Sequence, residues 1–387
     1  MRAMAILQVI PAVGSVCGIG YYLLALLSAR LYLVSKRRQA RADDEAFMPP
    51  VSILKPLRGA DERMYEALRS HCLQDYSEYE LIFGVSEPDD QAIGLVERLK
   101  QEFPNRSIRL LMCSRQLGTN VKVSNLVQML PLARHPYVLV NDSDIRVPRD
   151  YLRLVMSALK GPQVGMATCL YRGVTGSSLG SRLESVGIST EFMPGVLTAR
   201  LLEGGLQFAL GSTLAMRREA LQAIGGFEPL LDYLADDYEL GYRISNAGFK
   251  VALAEPVVDT FLANYTLAEF FEHQLRWGRS TRNSRELSYF GLLLTFGFAW
   301  SIGAVVFSRG AAWGWGLFAA ALLLRFAVAL VLAMRVLGDR QILRDWWLVP
   351  IRELVAVAVW IGSYTGRTIT WRGRKFVLRE KKLKPVV

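Results

Sequence analysis

The sequence predicts an α/β domain with a mainly parallel sheet, flanked by transmembrane helices. Strand and helix patterns alternate between residues 51 and 141, and long uncharged segments lie near both ends of the chain. The 387 residues are 51% hydrophobic and 21% charged, with a mean hydropathy of +0.22. These values exclude a disordered polymer and a wholly membrane-embedded bundle. A protein that is part membrane and part soluble remains.

The alternation predicts the sheet. Short apolar runs predict strands at residues 51–54, 79–85, 108–113 and 137–141, and helical periodicity predicts helices at 64–73, 92–103 and 122–130. Strands that alternate with helices form parallel sheets. Ligands bind such sheets at the carboxyl ends of the strands, so the polar residues that follow these strands are the candidates for a functional site.

The first apolar segment predicts an uncleaved membrane anchor. Residues 3–29 carry no charge, and about 20 apolar residues suffice to cross the hydrocarbon layer. A cleavable signal peptide is the alternative, but its apolar region is usually only about 7–15 residues long. Basic residues favour the cytosolic side, and they follow the segment at Arg30, Lys36, Arg37, Arg38 and Arg41. We therefore expect an anchor at 1–35 and a cytosolic domain at 36–286.

Further hydrophobic segments follow this domain. Residues 287–308 are uncharged and residues 310–334 are interrupted only by Arg325, so both can span a membrane. Residues 346–366 are interrupted by Pro350, Arg352 and Glu353, and either a crossing or an interfacial helix fits them. The expected organisation is completed by transmembrane or interfacial helices at 287–366 and a basic tail at 367–387.

The net charge of +11 indicates membrane contact rather than nucleic acid. The basic residues cluster beside the hydrophobic segments, where each gains about 1 kcal/mol from anionic lipid headgroups. The sequence carries neither zinc-finger spacing nor an aromatic RNA-binding signature. Its four cysteines lack CxxC spacing and it has only three histidines, so any divalent ion must depend on carboxylates.

Asp142 and Asp144 form the first candidate site. They lie just past the predicted strand at 137–141, where two carboxylates can turn toward one divalent cation that also binds a diphosphate. Such an arrangement would suit a nucleotide-sugar. The alternative is an Asx turn that caps a following helix.

Asp236 and Asp237 form a second acidic pair. One of these carboxylates could act as a general base toward an acceptor hydroxyl. The alternative is that both are first-turn acids of a helix, where the helix dipole favours negative charge.

The third candidate is the segment from His273 to Trp277, just before the second hydrophobic region. Arg276 could neutralise a departing diphosphate, with Trp277 packing beside a ring or a lipid. An Arg-Trp pair beside a membrane can also be only an interfacial anchor.

Together these segments resemble the ceramide glucosyltransferase family, glycosyltransferase family 21. The resemblance rests on VSILKPLRG at 51–59, DY at 75–76, DSDIRV at 142–147, ADDY at 235–238 and RW at 276–277, and it extends to TWRGRKF at 370–376. It implies a GT-A fold, Rossmann-like with a mainly parallel sheet. It also implies inverting transfer of a hexose from a UDP-sugar to a lipid hydroxyl.

The resemblance also implies roles for individual residues. Asp237 is similar to the family's catalytic base, and Asp142 and Asp144 match the motif that binds the UDP-sugar and a divalent cation, Mg²⁺ or Mn²⁺. Arg276 and Trp277 match the end of the (Q/R)xxRW motif. The residues expected near the substrate are Lys55, Pro56, Lys122, Asn125 and Asp236. Two positions depart from the family pattern: Glu87 stands where an Asp is usual, and the titratable His273 occupies the first position of the (Q/R)xxRW motif.

The acceptor is expected to be a membrane lipid. The segment at 167–173 looks more like the bacterial branch that transfers N-acetylglucosamine to bacteriohopanetetrol, which implies an integral protein of a bacterial inner membrane. Glucose and ceramide are the other expected sugar and acceptor. A processive polysaccharide synthase, a polyprenyl-phosphate sugar transferase and a non-enzymatic membrane transporter or scaffold are the alternatives.

Overall fold

The computed structural model describes residues 2–42, 47–371 and 374–385. The chain divides into two compact units. The helical unit comprises Met1–Ala40, Thr175–Leu202 and Leu262–Lys375, and the sheet unit comprises Arg41–Val174, Glu203–Phe261 and Phe376–Val387.

The strands are numbered in chain order. They are β1 Val51–Pro56, β2 Tyr79–Val85, β3 Ser107–Met112, β4 Tyr137–Val140, β5 Ile145–Arg146, β6 Val164–Val174, β7 Leu214–Arg217, β8 Lys250–Phe261, β9 Thr368–Trp371, β10 Arg374–Arg379 and β11 Lys382–Pro385.

The helices are numbered in the same way. They are α1 Arg2–Ala42, α2 Met64–Cys72, α3 Ala92–Glu102, α4 Val121–Met129, α5 Tyr151–Ser157, α6 Leu179–Gly187, α7 Met193–Leu202, α8 Arg218–Ala223, α9 Asp236–Asn246, α10 Leu267–Ser284, α11 Glu286–Gly291, α12 Gly297–Phe307, α13 Ala312–Leu330, α14 Ile342–Asp345 and α15 Leu348–Tyr364.

The main sheet has the order β3-β2-β1-β4-β7-β6-β8-β5. Strands β1 to β4 pair in parallel, with β1 between β2 and β4. Strand β7 runs antiparallel to β4 and β6, and β5 runs antiparallel to β8, so the sheet is mixed. The four predicted strands and three predicted helices match β1–β4 and α2–α4 to within two residues at each end.

The core of the sheet unit lies on both faces of its parallel strands. Strand β2 is buried at every position, and Ile53, Phe83 and Leu139 are among the fully buried side chains of the core. Strands covered on both faces read as continuous apolar runs. That is why the sequence pattern located β1, β2 and β4 closely.

Among the described residues of the helical unit, two helical segments are long and apolar enough to cross a membrane: Leu7–Arg37 and Ala312–Leu337. They correspond to the predicted spans at 3–29 and 310–334. The predicted span at 287–308 is a pair of helical segments, Glu286–Thr295 and Gly297–Phe307, bent by 51°. Helix α15, within the segment 346–366, has 17 residues, which lies at the lower end of the roughly 17–25 that cross a bilayer, so its prediction stays open.

Glycines bring α1 and α12 into close contact. A Cβ atom on Gly18 would lie 2.1 Å from the Cα of Gly297, and one on Gly14 would lie 2.4 Å from the Trp300 ring. Gly14 and Gly18 are four residues apart, so both lie on one face of α1. Small residues at this spacing let helix backbones approach in membranes, where packing rather than water exclusion drives association.

Charged side chains are buried in the same unit as ion pairs. Arg325, which interrupts the span, pairs with Glu191 and Glu353 at 3.0 Å each. Arg352 also pairs with Glu191 at 3.0 Å and donates to the Oε1 atom of Gln274 at 2.6 Å. A buried charge is costly unless it is paired, so these pairs explain how apolar helices retain arginines.

Substitution of Gly18 by Ala should destabilise the helical unit, because the new methyl group overlaps the backbone of Gly297. Overpacking of this kind costs about 1–3 kcal/mol of unfolding free energy. Gly20→Ala is the matched control on the same helix, since a Cβ there meets nothing within 4 Å. Thermal unfolding in detergent measures both variants. Equal melting temperatures for G18A and G20A would contradict the assigned contact.

Candidate active site

Asp142 and Asp144 lie in a tight turn at the carboxyl end of β4. The turn leads straight into β5, and the backbone N–H of Ile145 donates to the carbonyl oxygen of Asp142 at 3.4 Å. Because a strand follows, the alternative prediction of an Asx turn capping a helix is wrong. The turn leaves the Asp142 side chain about 42% exposed.

Lys122 bridges two of the predicted acidic residues. Its Nζ atom lies 2.9 Å from Asp142 Oδ1 and 3.0 Å from Asp236 Oδ2. Burial alone would lower the pKa of Lys122, but the negative charges of Asp142, Asp236 and Asp237 outweigh it, and the pKa is raised. The ammonium group therefore stays charged and binds the two acidic segments together.

Asp237 faces Asp142 across Gly211. The backbone N–H of Gly211 donates to Asp237 Oδ2 at 2.8 Å, and that of Tyr238 donates to Oδ1 at 2.7 Å. A Cβ atom on Gly211 would lie 3.1 Å from Asp237 Oδ2 and 3.2 Å from Asp142 Oδ2. The absent side chain at Gly211 therefore lets both carboxylates approach the same point.

The environment of Asp237 makes its carboxylate a stronger base. Burial, followed by the charge of Asp236, raises the pKa of Asp237 to about 6. Lys122 and the Tyr238 N–H act in the opposite direction. Asp236 begins α9, so the alternative prediction of first-turn acids also describes these residues correctly.

Asp144 is held from β8. The hydroxyl of Thr260 donates to its Oδ2 atom at 2.6 Å, and the Phe261 N–H donates to its carbonyl oxygen at 3.1 Å. Burial, followed by the charge of Asp142, raises the pKa of Asp144 to about 6. The two carboxylates of the turn are therefore close enough to repel each other, which a bound cation would relieve.

Buried polar side chains, Lys55 and His71 among them, support the turn at Asp142 from the interior of the protein. Lys55 is fully buried, and its Nζ atom donates to the carbonyl oxygen of Asp142 at 3.0 Å and lies 3.4 Å from His71 Nε2. The other ring nitrogen of His71 lies 3.0 Å from the Ala67 carbonyl oxygen. Burial lowers the pKa of Lys55 to about 7, despite the opposing charges of Asp144 and Asp142. Lys55 thus acts on the site through the turn rather than from its surface.

Asn141 connects these buried side chains to the segment before β7. Its Oδ1 atom lies 3.1 Å from His71 Nε2, and its Nδ2 atom donates to the Ser212 carbonyl oxygen at 2.6 Å and to the Tyr151 hydroxyl at 2.9 Å. Sequence reasoning did not single out His71, Asn141 or Gly211 for the site. Asn141 stands next to Asp142, which was a usable signal, whereas His71 and Gly211 join the site only through the fold.

The remaining predicted substrate residues of the sheet unit lie along one edge. Pro56 ends β1 and is half-buried, and Glu87 is exposed just beyond the end of β2. Asn125 is buried on α4, where its Oδ1 atom accepts from the Ser86 hydroxyl at 3.0 Å. Pro56 and Glu87 thus lie at the carboxyl ends of β1 and β2, and Asn125 of α4 is bonded to Ser86 at the end of β2.

A divalent cation would depend on few protein ligands here. Within the described ranges, no group of three or more His, Cys, Asp and Glu side chains is arranged to hold a metal ion. Asp142 and Asp144 still offer the oxygen donors that a hard cation prefers. Mg²⁺ commonly takes one or two carboxylates and completes its shell with substrate phosphates and water. These two residues fit that kind of site.

His273, Arg276 and Trp277 belong to α10 in the helical unit. His273 Nδ1 lies 3.0 Å from the Glu184 carboxylate, and its ring stacks on Tyr265 with centroids 5.4 Å apart. Trp277 lies against His273, with centroids 4.9 Å apart. The carboxylate of Glu184 and the two aromatic rings therefore fix the orientation of the imidazole.

Arg276 lines an open cavity of about 310 Å³ on the same helix. The other residues lining the cavity include Phe271, Glu272, Arg279 and Thr368. Burial lowers the pKa of Arg276 from its usual range, but a guanidinium remains charged near neutral pH. The cavity therefore carries two positive side chains and one carboxylate.

Comparison with known proteins identifies the relatives. A ceramide glucosyltransferase of Caenorhabditis elegans is 27% identical over 242 residues, which are 62% of this chain and 52% of that protein. A beta-monoglucosyldiacylglycerol synthase of Synechocystis is 22% identical over 256 residues, covering 65% of this chain and 52% of that protein. The chain thus spans about half the length of these curated relatives.

Among solved structures, a mannosyltransferase from Pyrobaculum calidifontis, in complex with GDP-Man and Mn²⁺, has a TM-score of 0.49 and 18% identity. The match covers 90% of this chain and 99% of that one. The profile of glycosyl transferase family 21 matches residues 11–384. With the mixed sheet described above, this match confirms the predicted fold class, a GT-A domain accompanied by apolar helices. The chain belongs to glycosyl transferase family 21.

Proposed function

We propose that the protein transfers a hexose from a UDP-sugar to a hydroxyl group of a membrane lipid, with inversion at the anomeric carbon. The proposal rests on one observation. Asp142 and Asp237 approach each other at Gly211, and Lys122 bridges Asp142 and Asp236. Family membership supports sugar transfer. The names of the relatives, which include ceramide glucosyltransferases and a glucosyldiacylglycerol synthase, support a lipid acceptor.

Asp142 and Asp144 are the residues that would hold a divalent cation at the donor diphosphate. When bound, Mg²⁺ or Mn²⁺ would supply positive charge to the phosphate oxygens. Lys122 adds a fixed positive charge beside Asp142, and Lys55 keeps the turn in place through its bond to the Asp142 carbonyl oxygen. Pro56 and Glu87, which follow β1 and β2, and Asn125 on α4 are the residues that we propose to contact the nucleotide.

Asp237 is the proposed general base. A base must be ionised near neutral pH and still attract a proton, and a pKa of about 6 meets both requirements. The two backbone N–H groups that bind its oxygens fix the direction of the carboxylate. The acceptor hydroxyl loses its proton to Asp237 while its oxygen attacks the anomeric carbon and the bond to UDP breaks, which inverts the configuration in one step.

Arg276 is proposed to offset negative charge on the leaving UDP, with His273 and Trp277 supporting it on α10. A guanidinium presents several donors in a plane, which suits phosphate oxygens. His273 replaces a fixed amide or guanidinium of the family motif, so its contribution is tied to its partner Glu184.

The direct test is a transfer assay with the purified full chain. UDP-glucose and UDP-N-acetylglucosamine are each offered with ceramide, diacylglycerol and a hopanoid polyol, and the glycolipid is identified by mass. We expect one donor and one acceptor class to give a neutral glycolipid and free UDP. A long polysaccharide, a lipid-phosphate sugar, or transport without UDP release would instead support the corresponding alternative and reject the proposal.

Replacement of Asp237 by Asn should reduce kcat by about 10²–10⁴-fold, because an amide cannot accept the hydroxyl proton. UDP binding, measured by calorimetry, should stay within about twofold, since the change is isosteric. Glu97→Gln, at an exposed acid on α3, provides the control. Near-normal turnover in D237N would remove Asp237 from the role.

The pH dependence should follow the ionisation of Asp237. Because its pKa is raised to about 6, the active carboxylate is present above that pH and is lost as the pH falls through it. At saturating divalent cation, which keeps Asp144 ionised, kcat/KM should fall about tenfold per pH unit below about 6. Stopped assays from about pH 5 to 8 measure the profile. If kcat/KM of D237N falls in the same way at low pH, the titration belongs to a group other than Asp237.

Removal of the Asp144 carboxylate should weaken the response to divalent cations. Loss even of an outer-shell partner typically costs about 10–100-fold in metal affinity, so Asp144→Ala should raise the half-saturating Mn²⁺ concentration at least that much. Titration of Mn²⁺ into metal-free enzyme measures it, with E97Q as the control. An unchanged Mn²⁺ titration would refute the metal assignment.

A further inference from the structure

The C-terminal strands form a hairpin with a strained turn. Strands β10 and β11 pair antiparallel, with Leu378 opposite Leu383 and Arg379 opposite Lys382. The two linking residues, Glu380 and Lys381, have φ values of 52° and 65°. Two-residue turns with both φ values positive usually contain Asn or Gly, and other residues adopt this conformation only when the surroundings enforce it.

Buried side chains provide that enforcement. Phe376, Leu378 and Leu383 are 6%, 4% and 2% exposed, whereas Arg379 and Lys384 point to solvent. The hairpin thus has one apolar face in the core of the sheet unit and one basic face outside it.

The hairpin contacts the loop that precedes α9. The backbone N–H of Leu383 donates to the Asp232 carbonyl oxygen at 2.7 Å, and Lys382 forms an antiparallel bridge with Tyr233. The Nζ atom of Lys382 also lies 5.7 Å from the centroid of the Tyr233 ring. A strand edge and a cation–π contact therefore act on the same loop.

On its other side, this loop binds the amino end of α4. Asp232 Oδ1 accepts from the Thr119 N–H and hydroxyl at 3.0 Å each. Asn120 donates from its backbone N–H to the Leu231 carbonyl oxygen and from its side chain to that of Tyr233, both at 2.8 Å. Asn120 caps α4 two residues before Lys122, and Tyr233 lies three residues before Asp236.

A second contact reaches α9 itself. The Nζ atom of Lys381 lies 5.5 Å from the centroid of the Tyr242 ring. Tyr242 stacks on Tyr238, which stacks on Phe208, with centroids 6.0 and 6.1 Å apart. Tyr238 follows Asp237 directly, and its N–H binds the Asp237 carboxylate. The strained turn thus places its lysine on the ring stack beside the proposed base.

We propose that the C-terminal hairpin positions the acidic pair Asp236 and Asp237. Lys382 contacts Tyr233 and Lys381 contacts Tyr242. Through these contacts the hairpin fixes the loop at 231–235 and the first turn of α9, which carry the two carboxylates. This assignment rests on the proposed function for its effect on catalysis. The contacts described above are made with the loop and with Tyr242, so the hairpin acts on Asp236 and Asp237 indirectly. Its effect falls on the base more than on the donor residues of β1 and β4.

The test compares two double variants of the full chain that remove equal charge from the same hairpin. K381Q/K382Q removes both cation–π contacts, and R379Q/K384Q removes two solvent-facing charges. Since a displacement of about 1 Å can cost about 10²-fold in rate, we expect kcat to fall about tenfold in K381Q/K382Q, with the KM for the donor within about twofold. The control should keep wild-type values. K381R/K382R retains the cation–π contacts and should restore kcat.

Hydrogen exchange in the ligand-free protein gives a readout that does not depend on activity. Amides of residues 231–240 should exchange several-fold faster in K381Q/K382Q than in R379Q/K384Q. If the double variant does not fold, K382Q alone is compared with K384Q. Equal exchange and equal kcat in the two variants would overturn the positioning role. If the wild-type protein transferred sugar from none of the donors, the proposed function would be rejected instead. The hydrogen-exchange comparison would still decide whether the hairpin positions the loop.

Discussion

The ammonium group of Lys122 is the interaction on which the candidate site depends. It lies about 3 Å from carboxylates that follow β4 and begin α9, segments separated by more than 90 residues of sequence. Without this cation, Asp142 and Asp237, which meet at Gly211, and Asp236 would repel one another with no ammonium group between them. Removing one partner of the buried Lys122–Asp236 pair leaves an uncompensated charge, which typically costs about 3–5 kcal/mol. The acidic cluster and its lysine are therefore one electrostatic unit.

Many of the strands and helices of the sheet unit could be predicted from the local pattern of apolar residues. Strands β1, β2 and β4 are buried on both faces, so each is a continuous apolar run that the sequence displays directly. Asp142 and the pair Asp236 and Asp237 could be named because they follow a strand and begin a helix, positions where charge has recognisable uses. The choice of Asp237 as the base came from the resemblance to the family. Strand β7 was not predicted, since it is short and its antiparallel place between β4 and β6 depends on distant partners.

Other parts of the site carry no local signal. His71 occupies the last turn of α2 like any helix residue, and only the fold places it beneath Asn141. Gly211 lies among small and apolar residues that carry no signal of their own, whereas its N–H binds Asp237. The C-terminal segment was predicted as a basic tail. Its turn residues, Glu380 and Lys381, lack the Asn-Gly signature of a hairpin, so charge was the only visible property.

The buried ion pairs of the helical unit bear on how this protein enters a membrane. Placing an arginine at the centre of a single apolar helix costs about 2.5–3.5 kcal/mol during insertion, and an acid is comparably unfavourable. Arg325 lies on α13, a helix apolar enough to cross a membrane, and it pairs with Glu191 and with Glu353 of α15 at 3.0 Å each. Because α15 is synthesised after α13, Arg325 is paired only with the upstream Glu191 until Glu353 emerges from the ribosome. The complete set of these ion pairs, which includes Arg352 and Glu353 of α15, therefore forms only after the last of these helices has been translated.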